Sequence, residues 1–181
     1  MTLETHDQII EKRRSNEKGT MMSSRGVSYD TLLGFNFETM RGKKVLDIGS
    51  SLGSNFSEEA KKYNADVVSI SPDFKDKTPD NKNKNVAARV QQLPFKDNTF
   101  DYIVASYSIP YYLPYDFAEY NRSISEILAV LKPGGKAYFY PINTEQKKLI
   151  KKVLSQFANF TTFQFAEDEG GGVSKLMLIK K

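Results

Sequence analysis

The stretch richest in chemistry is Val45-Leu46-Asp47-Ile48-Gly49-Ser50-Ser51-Leu52-Gly53, an apolar run with an acid near its end that leads into a turn of small residues. Small side chains let the main chain approach a ligand closely, and a helix starting just after the turn adds amide donors and a partial positive charge. Those are the physical requirements of a nucleotide pocket. The spacing is Gly49-x-x-x-Gly53, which matches neither the dinucleotide fingerprint nor the phosphate loop with its terminal Gly-Lys-Ser/Thr, so NAD and ATP are disfavoured. The bland alternative for Asp47 is a buried acid that only orders its own turn. A second stretch, Ser106 to Tyr115, carries Tyr107, Tyr111, Tyr112 and Tyr115 with Pro110 and Pro114. Such a rim can hold an aromatic or cationic group, or it can pack its rings on a sheet edge with the hydroxyls in water.

Other chemistry is excluded by composition. The chain has 181 residues and no Cys, which removes disulfides, thiolate metal sites and cysteine nucleophiles. The single His6 rules out a His-rich zinc site or a histidine dyad, so no metal site is expected. His6 lies on a polar tail, where a solvated role is the simpler reading.

The elements that must position these residues follow from periodicity. Lys44 to Ile48 reads as a first strand, and Ser54 to Tyr63 as a helix with Phe56, Ala60 and Tyr63 on one face. Asp66 to Ser71, closed by Pro72, is a second strand, and Val86 to Val90 a third. Asp73 to Asn85 holds one large apolar residue, Phe74, and reads as a loop. Phe100 to Ser106 is a buried fourth strand. Asp116 then caps a helix, with Glu119 three residues on, whose buried face is Phe117, Tyr120, Ile124, Ile127, Leu128 and Leu131. Lys132-Pro133-Gly134-Gly135 stops it, and Lys136 to Ile142 is a fifth strand.

Leu149, Ile150, Val153, Leu154 and Phe157 define a last amphipathic helix, opposite Lys147, Lys148, Lys151 and Lys152, which read as a solvated face. Thr161 to Ala166 and Val173 to Ile179 close the sheet as a hairpin around Gly170-Gly171-Gly172, making the last strand antiparallel. Strands alternating with helices predict a parallel sheet sandwiched by helices. Residues 1–28 are polar and charged, an arm that caps the domain or stays mobile, and 29–181 form one domain.

The net charge is +4, a modest excess that does not demand nucleic acid. The lysine-bearing last helix has no aromatics interleaved on its charged face, which argues against nucleic-acid binding. No stretch approaches the roughly 20 apolar residues of a membrane span, and the polar amino terminus lacks the apolar core of a signal peptide. A soluble, cytoplasmic protein without a membrane partner is the expectation.

With these residues in order, the chain resembles the class I S-adenosylmethionine-dependent methyltransferases, whose first motif looks like VLDIGxGxG; Ser51 stands here where the middle glycine would be. Leu93-Pro94-Phe95 with Asp97, Phe100-Asp101, Leu131-Lys132-Pro133-Gly134-Gly135 and the final strand pair extend the likeness across residues 40 to 181. The resemblance implies a Rossmann-like, mostly parallel seven-stranded sheet with helices on both faces. It also implies S-adenosylmethionine across the carboxyl ends of strands one, two and four, in accord with ligand binding at a topological switch point.

By the same likeness Asp47, Gly49, Ser50, Ser51 and Gly53 would shape the methionine side, Ser106 the end of strand four, and Tyr107, Tyr111 or Tyr112 would orient an acceptor. The family usually ends strand two with Asp or Glu for the ribose hydroxyls, and Ser71 occupies that place, with Asp73 two residues on. The acid that takes the adenine amino group aligns with Arg89, which has no acceptor to offer, leaving Val90 and Gln91 to read the base and Phe74 to stack on it or merely cover the core edge. Each charged hydrogen bond contributes about 1.5 to 3 kcal/mol, so two missing ones weaken a cofactor by roughly a hundredfold or more. Two functions are therefore carried forward: methyl transfer to a small-molecule or protein acceptor, and a catalytically inactive relative that acts as a binding or regulatory partner.

Overall fold

The computed structural model describes residues 29–50, 55–76, 84–168 and 172–181. Its seven strands are β1 (Lys44–Ile48), β2 (Asp66–Ile70), β3 (Lys84–Val86), β4 (Phe100–Ser106), β5 (Leu131–Asn143), β6 (Thr161–Glu167) and β7 (Val173–Lys180). They form one sheet in the order β3-β2-β1-β4-β5-β7-β6. β1 through β5 pair in parallel, while β7 is antiparallel to both β5 and β6. The expected mostly parallel architecture with an antiparallel last strand is what the chain forms. Connections run outward to either side of the β1/β4 pair, which puts the switch point between those two strands.

Strands covered on both faces read as continuous apolar runs, and alternate residues divide between two cores. Leu46, Ile48, Ile70, Ile103 and Ala105 face one side. There they meet Tyr120, Ile124, Ile127 and Leu128 of α3 (Phe117–Val130) and Ile150, Val153 and Leu154 of α4 (Thr144–Leu154). Val45, Val67, Val104, Tyr138 and Tyr140 face the other, against Leu33 of α1 (Tyr29–Leu33), Phe37 and Met40 of a short 3-10 turn, and Phe56 and Ala60 of α2 (Asn55–Lys61). Phe37 stacks on Tyr63 at 5.2 Å and 9°. Periodicity had marked neither α1 nor this turn, because five and four residues are too short to show it.

Several boundaries differ from expectation for physical reasons. The third strand is Lys84–Val86, not 86–90: Val86 pairs with Ile70, after which the chain turns through an isolated Arg89–Gln92 bridge and Val90 anchors the turn in the core. The expected loop after β2 begins instead with a 3-10 turn, Pro72–Asp76. α2 is shorter than the 54–63 expected, since its last bonds tighten to three-residue spacing and Asn64 takes φ +59. Leu131 leaves the helix, at φ −76 and ψ 135, and already pairs with Phe100. Pro133, Gly134 and Gly135 lie within a shift of register between that pair and Tyr102–Lys136, so they bend β5 rather than precede it. Phe157 falls in a 3-10 turn beyond α4. The arm 1–28 with His6, and Gly170 and Gly171 of the hairpin, lie outside the described residues.

Candidate functional site

Asp47 lies in register with Ser69 of β2 and Val104 of β4, beside the switch point, and is only 7% exposed. Ser69 Oγ donates to its Oδ2 at 3.3 Å and the Ser50 side chain also hydrogen-bonds to it. Burial outweighs these two donors and pushes the carboxyl up from 3.8 to about 7. Burial raises the phenol of Tyr29 in α1, and the nearby Asp47 and Glu59 charges raise it further.

Gly49 follows with φ +81, and its N–H donates to the Ile70 carbonyl at 2.8 Å, tying the turn to β2. A Cβ here would lie 2.1 Å from that of Ser108, so only glycine fits. Ser108 Oγ donates to the Ile48 carbonyl at 2.5 Å. Thus the residue two places beyond β4 is packed onto the β1 turn and fixes its backbone. Sequence reading had not singled out Ser108, because its partners are 60 residues away. Ser50 is buried; Ser51 and Gly53 lie outside the described residues.

At the end of β2, Ser71 is buried and its Oγ accepts the Asp73 N–H at 3.2 Å, capping the 3-10 turn on whose exposed side Asp73 sits. Phe74 is buried at the same turn. Beyond β3, Val90 is a core side chain, Gln91 Nε2 donates to Glu119 Oε2 of α3 at 3.0 Å, and Arg89 is exposed. Ser106, half-buried at the end of β4, pairs with Tyr140 of β5. Tyr107, at φ +50, meets Tyr111 edge to face, and Tyr111 meets Tyr112 in the same way.

The structure therefore gathers Asp47, Gly49, Ser50 and Ser71 at one end of adjacent strands, with Tyr107 beyond β4. A buried carboxyl, buried hydroxyls and a glycine turn whose main chain reaches the surface thus lie side by side, a donor and acceptor set that a polar ligand can use. The residue just beyond β2 is the buried Ser71, a hydroxyl and not a carboxylate.

Residues 46–139, just over half of the chain, match the family model described as a methyltransferase domain. Among curated proteins, the ubiquinone/menaquinone biosynthesis C-methyltransferase of Geobacter sulfurreducens is 27% identical over 126 residues, which is 63% of this chain and 47% of that protein. The chain thus spans about half the length of the curated relatives it matches. Among solved structures, a TehB-like S-adenosylmethionine-dependent methyltransferase from Corynebacterium glutamicum superposes with a TM-score of 0.62 at 15% identity, covering 97% of this chain and 98% of that one. The 1,6-didemethyltoxoflavin N1-methyltransferase of Burkholderia thailandensis, solved with S-adenosylhomocysteine bound, gives a TM-score of 0.55 at 15% identity over 98% of this chain and 90% of its own. At such identities these two likenesses speak for the fold alone.

Proposed function

Since this chain belongs to the S-adenosylmethionine-dependent methyltransferase family, we propose that it binds that cofactor at the carboxyl edge of β1, β2 and β4 and transfers its methyl group to a small-molecule or protein acceptor in the cytoplasm. The observation that carries this is the pairing of buried Asp47 with a Gly49 turn in which no other residue fits, both at the switch point. Burying a carboxyl is costly, and a buried acid with a raised pKa beside such a turn supports a functional site there.

Asp47, Gly49, Ser50, Ser51 and Gly53 would hold the methionine end, Ser71, Asp73, Val90 and Gln91 the nucleoside, and Ser106 the wall beneath the reacting centre. When bound, the cofactor would supply an electrophilic methyl on a sulfonium, which the acceptor atom would take as the C–S electron pair returned to sulfur and a neutral thioether was released. Tyr107, Tyr111 and Tyr112 orient the acceptor and exclude water, and alignment of this kind provides most of such an acceleration. Among the described residues no helix is long and apolar enough to cross a membrane.

Ser71 and Arg89 favour a second reading, a methyltransferase-like partner whose donor site has weakened beyond use. Calorimetric titration with S-adenosylmethionine and S-adenosylhomocysteine separates the two. Heat of binding and a raised melting temperature are expected, with Ser71→Asp plus Arg89→Asp tightening the cofactor by about a hundredfold. No heat and no stabilisation at millimolar ligand would leave only the second reading.

A further inference from the structure

One edge of the sheet is left open. β3, at one end of the strand order, is three residues long and begins with the exposed Lys84, so it offers a neighbour little to pair with. β6, at the other end, runs in unbroken register with β7 from Thr161 to Glu167 and contains no Lys, no Pro and no bulge, the devices that ordinarily blunt a free edge. Its main-chain groups alternate in direction. Lys181 N–H donates to the Phe160 carbonyl at 2.9 Å and Asp168 N–H to the Val173 carbonyl at 3.1 Å, so the even-numbered residues turn their main-chain groups to β7. Those of Thr161, Phe163, Phe165 and Glu167 therefore point outward, where no strand lies among the described residues.

The side chains of this edge are aromatic where a solvated strand would be polar. Phe163 is 40% exposed and Phe160, just before the strand, 64%, two of the three exposed large hydrophobic side chains among the described residues. Phe163 and Phe165 meet edge to face at 5.9 Å, in register with Leu178 and Leu176 on the α4 side of the sheet. Lys147 and Lys151 of α4 lie over the Phe165 ring at 5.2 and 5.7 Å, which roofs Phe165 and leaves Phe163 partly uncovered. The two ends differ in charge. Glu167 and Asp168 close the strand at one end, Asp168 held by the Tyr140 hydroxyl that donates to it at 2.8 Å, whereas Lys180 and Lys181 stand beside Thr161 and Phe160 at the other. An edge that is acidic at one end, basic at the other and aromatic between is complementary to itself run in reverse.

We propose that a second copy of this chain covers the edge: two copies pair their β6 strands antiparallel about a two-fold axis at Gln164, joining two sheets into one. In that register the outward main-chain groups of Phe163 meet those of the partner's Phe165, and those of Thr161 meet the partner's Glu167, so every outward N–H and C=O of the strand is satisfied. Phe163 and the partner's Phe165 form a cross-strand aromatic pair on each side of the axis, and each acidic end lies against a basic one. The contact is isologous, so it closes at two copies. An interface of one strand from each copy is small and the pairing accordingly weak, with a dissociation constant of about 10 μM; on dilution the copies part and β6 is an open edge again. This association does not depend on the methyltransferase reading.

Sedimentation velocity of the full chain from about 1 to 200 μM is expected to show monomer converting to dimer across that range. Phe163→Lys sets a charge against the aromatic pair and should weaken the dimer about tenfold or more. Gln164→Cys tests the axis separately, in a chain that has no cysteine of its own. Residue 164 faces its own copy in a non-hydrogen-bonded pair, whose Cα atoms lie about 4.5 Å apart, within the span of a disulfide. Mild oxidation is therefore expected to link Gln164→Cys into a covalent dimer about tenfold faster than Thr162→Cys, which faces the partner's Ala166. All three side chains are exposed, so these changes leave the fold intact. A chain that stays monomeric at the top of the concentration range overturns the proposal. So does a dimer that Phe163→Lys leaves as tight as before, or equal cross-linking of the two cysteine variants.

Discussion

Asp47 holds a proton in the folded protein under conditions where the unfolded chain has lost it, since its carboxyl is raised from 3.8 to about 7. The native state then binds more protons than the unfolded state between those two values, so this residue's contribution to stability declines by about 4 kcal/mol as pH rises from roughly 4 to 7 and is level above. Asp47→Asn is expected to flatten that decline in urea denaturation measured from pH 4 to 8. Ligand affinity runs the other way: a cationic amine prefers the ionised carboxyl, so binding of S-adenosylhomocysteine strengthens as pH climbs through about 7, and the asparagine variant loses the slope in calorimetry. Next to it, Gly49→Ala places a methyl 2.1 Å from Ser108 Cβ at φ +81. It should destabilise the fold by about 3 kcal/mol or more, of which Ser108→Gly returns only the steric part. Asp47 and Gly49 were legible in the sequence because a strand-end acid followed by a turn of small residues is a contiguous pattern, even though their partners Ser69, Ile70 and Ser108 are distant in the chain. Ser108, and the Tyr140 and Asp168 pair 28 residues apart, were not, because only the sheet brings their partners together.

Helix ends show the same division between local and distant information. Asp116 accepts the Glu119 N–H at 2.9 Å at the start of α3, as its type and spacing predict. Asn143 and Gln146 form a reciprocal capping box at the start of α4, which passed unremarked because β5 runs into that helix with no intervening loop to mark a boundary. Gln146 is also buried, its Nε2 donating to the Pro110 carbonyl at 3.0 Å, so this cap is joined to the tyrosine turn. Replacing either Asp116 or Asn143 by Ala is expected to cost about 1 kcal/mol, a fall in melting temperature of about 2 to 4 °C by calorimetric scanning. The weakest sequence assignment was β3, and its burial says why: with no fully buried residue among its three, Lys84, Asn85 and Val86 give almost no apolar signal.

Over the whole sheet, order and stability go together. β1 and β4 lie inside with their side chains buried on both faces, whereas β3 and β6 are the edges and β6 exposes most of its length. Amides of β3 and β6 should therefore exchange with deuterium ahead of those of β1 and β4, a difference that mass spectrometry of peptic fragments resolves. The alternation of strands and helices made the parallel part of this arrangement readable from residues 44 to 142. The placement of β7 between β5 and β6 was not legible there, since two short strands around a glycine run specify a hairpin but not which of them joins the sheet. That placement governs how the protein is made. Synthesis delivers β6 before the strand that must seat it, so a nascent chain whose residues 173–180 are still within the ribosomal tunnel exposes the open flank of β5, and the sheet closes only once translation has carried that segment clear.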